Sequence, residues 1–247
     1  MIHIIGSGPG DPELITVRGM NLLKKADAVL YAGSTVSEEL LAYCPKTCLF
    51  ENSAYMALKE ITTHLAGWHA RYETVIRLHS GDPTIYGAID EERDALLKAN
   101  IECSVVPGIS AYSALAAAVK SELTVPEVAQ SVLITRFEGR THVPENIDVL
   151  FSEQPTAAIY LSGGMGEKVI ETLKRHYPPD ATLTIGHRVS REDERIESRR
   201  LDEWELFDFP SNLTLFLIRK NGGRKSKLYD ATFTHGLRKG QDENSSD

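Results

Sequence analysis

Short apolar runs alternate with amphipathic segments along the first half of the chain. The apolar runs have the length of buried strands, and the segments between them repeat apolar residues at helical spacing. The pattern predicts strands near 2–5, 28–31, 47–50, 74–78 and 102–106, and helices near 15–25, 36–43, 56–72, 88–98 and 111–120. Such alternation is typical of a largely parallel sheet with helices on both faces.

The periodicity lapses between residues 121 and 130 and then resumes. The second set predicts strands near 131–135, 157–161, 183–188 and 213–218, helices near 145–151 and 167–176, and an extended segment near 195–198. We therefore predict two α/β domains, 1–120 and 131–220, joined by a linker at 121–130. The remaining residues, 221–247, begin with a basic stretch and end in a polar one, which predicts a partly disordered tail.

Glycine- and proline-rich loops follow two of the predicted strands. Residues 6–12 read Gly-Ser-Gly-Pro-Gly-Asp-Pro, and residues 80–83 read Ser-Gly-Asp-Pro. Loops at the carboxyl ends of parallel strands are where α/β proteins bind ligands. Neither loop is a standard nucleotide motif, because Asp11 stands where the dinucleotide fingerprint needs its third glycine and no P-loop occurs. Taken alone, residues 80–83 are also a good strand-to-helix turn, and the same two interpretations hold for residues 163–166, Gly-Gly-Met-Gly.

Composition and charge narrow the possible functions. A chain of 247 residues with 42% hydrophobic content can bury a large core. Its net charge of −8 argues against a general nucleic-acid binder, so an anionic ligand would need a local basic pocket. Three scattered cysteines favour core thiols over a disulfide framework or a zinc site. With no leader pattern and no run long enough for a bilayer, we expect a cytoplasmic protein that uses neither a membrane nor a metal of its own.

Three motifs, in this order and at this spacing, resemble the tetrapyrrole (uroporphyrinogen and precorrin) methyltransferases. They are residues 5–16, which contain the first loop, residues 80–87, Ser-Gly-Asp-Pro-Thr-Ile-Tyr-Gly, and residues 105–111, Val-Val-Pro-Gly-Ile-Ser-Ala. The similarity extends from residue 2 to about residue 219. A narrower resemblance, carried by residues 123–127, 133–141, 144–145 and 228–230, is to the precorrin-4 C-11 methyltransferases.

The resemblance implies a fold, a reaction and a cofactor. It implies two α/β domains with S-adenosylmethionine in the cleft between them, a homodimer, and C-11 methylation of precorrin-4 or cobalt-precorrin-4 in cobalamin biosynthesis. Carried over position by position, it implies cofactor contacts at Pro9, Ser80, Gly81, Asp82, Ile85, Ser110, Ala111, Leu161 and Val189. Leu161 stands where relatives often have methionine.

Methyl transfer of this kind is a displacement at a sulfonium methyl by a carbon of the macrocycle. The protein's main task is then to align the reactants away from water, so we assign no general base. Because the macrocycle carries several carboxylates, arginines would orient it through paired hydrogen bonds. The candidates for substrate binding are Tyr86, Arg136, Arg140, Arg188 and Arg191.

Several alternatives remain open at this point. The same motifs are similar to those of other precorrin and uroporphyrinogen methyltransferases, and more distantly to a 2′-O-ribose ribosomal-RNA methyltransferase and to diphthine synthase. A non-catalytic protein that binds an adenosyl ligand as a sensor is an alternative from another class. The substrate could carry cobalt or be free of metal.

Overall fold

The computed structural model describes residues 1–223, 226, 230–234 and 236–239. Contacts divide the chain into two units, the first formed by Met1–Ala118 with Gly186–Ile196 and the second by Val119–Ile185 with the described residues from Glu197 onward. Gly186–Ile196 therefore groups with the first unit, whereas the sequence assigns it to the C-terminal domain. The predicted disordered end, residues 240–247, and most of the segment 228–230 lie outside the described residues.

The first unit contains a five-stranded sheet. Its strands are β1 (Ile2–Gly6), β2 (Ala28–Tyr31), β3 (Leu49–Asn52), β4 (Val75–His79) and β5 (Cys103–Val106). They lie in the order β3-β2-β4-β1-β5, and every pairing is parallel, as the sequence predicts. Ile5 lies opposite Leu78 on one side and Val106 on the other, so β4, β1 and β5 end at the same edge of the sheet.

Helices cover both faces of this sheet. They are α1 (Val17–Leu23), α2 (Leu58–His69), α3 (Ile89–Lys98) and α4 (Ala111–Ala118). Successive strand residues face opposite ways, which gives one buried cluster around Ile5 and Leu78 and another around Ile2, Leu65 and Trp68. The predicted helices on both faces are thus confirmed.

Local chemistry sets where these helices begin and end. Thr16 caps α1, since its Oγ1 accepts the Gly19 N–H at 3.1 Å. α2 begins at Leu58 rather than at residue 56, because Glu60 turns back to accept the Ala57 N–H at 2.7 Å. The helix predicted at 36–43 is a short 3₁₀ helix, Glu38–Tyr43, which has no side-chain cap at its start and is followed at once by Cys44-Pro45.

The second unit contains its own core and most of another five-stranded sheet. The strands are β6 (Val132–Arg136), β7 (Thr156–Tyr160), β8 (Thr182–His187), β9 (Arg195–Arg200) and β10 (Thr214–Arg219), and the helices are α5 (Ile147–Phe151) and α6 (Gly166–His176). The order is β6-β7-β10-β8-β9, with β6 parallel and β10 antiparallel to β7. Phe151, Trp204 and Phe216 are fully buried in its core. Two α/β units are therefore present, as predicted.

The glycines of residues 163–166 form a tight turn between β7 and α6. A Cβ on Gly163 would lie 2.4 Å from the Ser211 carbonyl oxygen, and one on Gly166 would lie 2.3 Å from the Phe207 ring. Close packing within the second unit therefore accounts for both glycines.

Candidate functional site

Three loops meet where β1, β4 and β5 end. They are residues 7–12 after β1, residues 80–88 between β4 and α3, and residues 107–110 between β5 and α4. β1 lies between the other two strands, and its loop hydrogen-bonds to the second loop through Gly8 and Gly81, while Gly6 at the end of β1 packs against Gly108 of the third. This edge of the sheet holds seven of the nine predicted cofactor residues, namely Pro9, Ser80, Gly81, Asp82, Ile85, Ser110 and Ala111.

Glycines allow these loops to pack backbone against backbone. Gly8 and Gly81 exchange hydrogen bonds, with the Gly81 N–H on the Gly8 carbonyl at 2.8 Å and the reverse bond at 3.3 Å. Both have positive φ, 82° and 60°. A Cβ on Gly6 would lie 2.5 Å from the Gly81 carbonyl oxygen, and one on Gly108 would lie 2.0 Å from the same oxygen. The absence of side chains at these glycines thus allows the loop backbones to contact one another.

Asp82 ties the second loop to the third. One carboxylate oxygen accepts the Thr84 N–H at 2.8 Å and the Thr84 hydroxyl at 2.6 Å, and the other accepts the Gly108 N–H at 3.2 Å. The carboxylate that the sequence singles out is thus bound to its own loop and to the next one. This arrangement suits a residue that shapes a binding surface.

The segment Gly186–Ile196 packs on the first loop. Ser190 Oγ accepts the Asp11 N–H at 3.0 Å, and Arg191 donates to the Thr35 carbonyl oxygen. A Cβ added to Gly10 would lie 2.5 Å from Cγ of Arg191, so the Arg191 side chain packs directly on this glycine. Burial, together with the neighbouring positive charge of Arg188, lowers the pKa of Arg191. The segment therefore brings Val189, which is buried, to the same side of the first unit as the three loops.

A cavity of about 370 Å³ lies beside the third loop in the first unit. Alanines of α4 and Val189 are among the residues that line it. The remaining lining includes Leu14, Ile109, Ser113 and Glu194. Its surface is mainly apolar, which suits the apolar part of a small ligand.

The predicted substrate residues of the first unit differ in their surroundings. Tyr86 is 44% exposed and has a positive φ of 55°. Arg188 pairs with Asp193, 2.7 Å from one carboxylate oxygen and 2.6 Å from the other, and this contact holds the pKa of Asp193 below its usual value. Arg188 and Arg191 thus both have partners inside the chain.

The remaining predicted residues belong to the second unit. Leu161 follows β7, is 68% exposed and has a positive φ of 51°. Arg136 donates to the carbonyl oxygens of Thr141, at 3.3 Å, and His142, at 2.7 Å, and so closes the loop that carries Arg140. Arg140 itself is exposed. The roles of Leu161, Arg136 and Arg140 stay predictions.

Sequence reasoning missed a buried charged network directly beneath the second loop. Arg77 and His79 on β4 both contact Glu92 on α3. A signal was available, because Arg77 is a charged residue in the middle of an otherwise apolar strand.

Two further features concern the described residues alone. Within them, no three His, Cys, Asp or Glu side chains come close enough together to form a metal site. The helices in this part of the chain are all too short or too polar to cross a bilayer.

Comparison with known proteins gives consistent matches along the chain. The model of the family described as tetrapyrrole (corrin/porphyrin) methylases matches residues 1–205. The cobalt-precorrin-4 C(11)-methyltransferase of Methanocaldococcus jannaschii is 40% identical, with 96% of each chain covered. The precorrin-4 C(11)-methyltransferase of Pseudomonas aeruginosa is also 40% identical, with 78% of each covered.

Solved structures agree with these relatives. A cobalt-precorrin-4 methyltransferase superposes with a TM-score of 0.82 at 33% identity, covering 88% of this chain and 93% of the other. The uroporphyrin-III C-methyltransferase of Thermus thermophilus, in complex with S-adenosylhomocysteine, gives a TM-score of 0.72 at 28% identity, covering 88% and 91%.

Proposed function

This chain belongs to the tetrapyrrole (corrin/porphyrin) methylase family, and from that premise we propose that it transfers a methyl group from S-adenosylmethionine to C-11 of precorrin-4 or cobalt-precorrin-4. The observation that carries the proposal is the similarity, over nearly the whole chain, to enzymes named for this reaction. Relatives named for cobalt-precorrin-4 and relatives named for precorrin-4 both match this chain, so we propose both forms as substrates. The reaction belongs to cobalamin biosynthesis.

The loops of the first unit suit S-adenosylmethionine. Pro9, Gly81 and Ile85 are partly exposed, and glycine lets a ligand approach the backbone closely. Ile109 of the third loop lines a mainly apolar cavity. A related structure that contains S-adenosylhomocysteine supports the same cofactor here. When bound, S-adenosylmethionine supplies a methyl group already activated by the positive sulfur.

The chain's own contribution is to bind and align. The loop contacts of Gly81, Asp82 and Gly108 fix the backbone before any ligand arrives, so little ordering cost remains at binding. Leu161 and Val189 would add apolar contacts to the cofactor. Tyr86 and the arginines at 136, 140, 188 and 191 would orient the macrocycle, the arginines through its carboxylates. We further propose a homodimer and a cytoplasmic location, in keeping with a biosynthetic enzyme of this family.

Methyl transfer from ¹³C-labelled S-adenosylmethionine tests the proposed reaction. The purified chain is incubated separately with precorrin-4, cobalt-precorrin-4 and uroporphyrinogen III, and NMR locates the new methyl group. We expect label at C-11 of at least one precorrin-4 form, and the relative rates identify the physiological form.

Other outcomes separate the alternatives. Label on uroporphyrinogen III alone would keep the family and overturn the substrate. Tight binding of S-adenosylmethionine with no transfer to any tetrapyrrole would favour a sensor that binds the adenosyl ligand without turnover.

A further inference from the structure

A charged network lies buried beneath the second loop. Arg77, His79, Glu92 and Ser53 are only 4%, 6%, 5% and 7% exposed. Arg77 and His79 point to the same face of β4, since they are two residues apart on a strand. Glu92 lies in the first turn of α3, the helix that follows the loop. The network therefore joins the strand before the loop to the helix after it.

The Glu92 carboxylate is shared between two donors. Arg77 contacts Oε1 through Nη2 at 2.9 Å and both oxygens through Nε at 3.1 Å, and His79 Nε2 lies 3.2 Å from Oε2. Burial acts to raise the pKa of Glu92, but hydrogen bonds from His79 and Arg77 outweigh burial and lower it. An ionised carboxylate only accepts hydrogen bonds, so His79 Nε2 carries the proton that it shares with Glu92.

Arg77 and His79 have separable tasks. Arg77 forms an ion pair with Glu92, and its Nη1 also donates to Ser53 Oγ at 2.8 Å. His79 adds a single hydrogen bond to one oxygen, and it is the residue directly before Ser80. Its main-chain carbonyl accepts the Ser7 N–H at 2.7 Å, which holds the first loop as well. Removing the imidazole would thus leave the ion pair and the main-chain bond to Ser7 intact and would break only the side-chain link between the start of the second loop and α3.

The loop between these attachment points needs restraint. Tyr86 and Ala88 both adopt left-handed conformations, with φ of 55° and 51°. Such conformations cost about 1–2 kcal/mol for a residue with a Cβ and persist only where the surroundings impose them. Gly81 and Asp82 are held by their contacts with the neighbouring loops, and the hydrogen bond between His79 and Glu92 adds a link between the two ends of the segment 80–88.

We propose that His79 is a positioning residue, which holds residues 80–88 in the conformation that binds S-adenosylmethionine by donating from Nε2 to Glu92. The inference rests on the proposed function, since it assigns that loop to the cofactor. His79 touches neither cofactor nor substrate in this assignment and acts through the backbone of its own loop.

Three variants test the assignment. His79→Leu removes the donor, and His79→Gln keeps an amide N–H near the position of Nε2. His3→Leu is the matched control, because His3 also lies on the first sheet, on β1, and its ring hydrogen-bonds to Ser104 at 2.7 Å, away from these loops. The readouts are the Kd for S-adenosylhomocysteine by calorimetry, the kcat and KM for methyl transfer, and hydrogen exchange of residues 80–88 without ligand.

We expect His79→Leu to raise the Kd and the KM for the cofactor about tenfold, while kcat changes less than about threefold. Exchange of residues 80–88 should rise in the same variant. His79→Gln should recover most of the affinity, and His3→Leu should match the wild type in Kd even if it melts earlier.

Two results would overturn the assignment in different ways. If the wild type binds S-adenosylhomocysteine and His79→Leu binds it equally well with unchanged exchange, His79 has no positioning role and the proposed function stands. If the wild type binds no S-adenosylhomocysteine, the proposed function fails and the inference fails with it. If the wild type binds the cofactor but transfers no methyl group to any tetrapyrrole, only the proposed reaction is contradicted. The Kd and exchange data then still decide the role of His79.

Discussion

At the scale of single residues, Glu92 makes part of the stability depend on pH. Its folded-state pKa lies below the value of an unfolded glutamate, so the folded protein favours the ionised form. The resulting stabilisation is fully present above the unfolded pKa, near 4.5, and is lost as pH falls through the lower folded value. We expect the free energy of unfolding, measured with urea, to decrease across that acid range.

The variant Glu92→Gln isolates this contribution. It leaves Arg77 buried without a countercharge, so at pH 7 the free energy of unfolding should fall by about 3 kcal/mol. Below pH 4 the difference from the wild type should narrow, because the wild-type carboxyl is then becoming neutral too. A constant difference at every pH would show that the ionisation of Glu92 contributes nothing.

The same scale shows why some residues were predictable and others were not. Asp82 and the glycines stand out in the sequence because they interrupt a regular strand-helix pattern. The hydrogen bonds that these residues make cannot be read from the sequence, because they depend on the order of the strands in the sheet. The ends of β4 and β5 come close only because both strands flank β1. Arg191 is predicted to bind the carboxylates of the substrate through paired hydrogen bonds, and its contact with Thr35, 156 positions away in sequence, is not visible in the sequence.

At the scale of elements, the close packing of the three loops predicts that Gly108→Ala lowers the free energy of unfolding. The new Cβ would lie 2.0 Å from the Gly81 carbonyl oxygen, and that atom belongs to a backbone that cannot rotate away. We expect a loss of about 2–3 kcal/mol in the free energy of unfolding and weakened binding of S-adenosylhomocysteine, measured by urea titration and calorimetry.

Gly67→Ala is the control for that substitution. Gly67 is exposed inside α2, and the nearest atom to an added Cβ is the Arg71 guanidinium, 3.9 Å away. Alanine there should stabilise the chain by up to about 1 kcal/mol through helix propensity. If both variants lost the same stability, close packing of the loops would not explain the glycine at position 108.

Elements themselves were largely readable from the sequence. Strands such as β1 and β4 are short, mainly apolar runs that are buried in the structure, and the sequence pattern predicts them directly. Helix ends were less accurate, because a single side chain such as Glu60 decides where α2 begins. The grouping of Gly186–Ile196 with the first unit could not be predicted, since it follows from contacts of Ser190 and Arg191 with residues far along the chain.

At the scale of the whole molecule, a net charge of −8 acts on the two proposed ligands in opposite directions. The tetrapyrrole carries several carboxylates and is repelled at long range, whereas S-adenosylmethionine carries a net positive charge and is attracted. Raising the ionic strength from about 10 mM to about 100 mM shortens the screening length from about 30 Å to about 10 Å. Contacts between neighbouring groups, such as an arginine on a carboxylate, change much less.

We therefore expect kcat/KM for the tetrapyrrole to rise on the order of twofold over this range, while the Kd for S-adenosylmethionine increases. Steady-state kinetics at saturating cofactor and calorimetry at the same two salt concentrations give both values. A steep fall in kcat/KM would instead mean that a long-range positive potential around the site, and not the net charge of the chain, governs the approach of the tetrapyrrole. The opposite charges of the two ligands are the internal control, because a general effect of salt on the fold would weaken or strengthen both together.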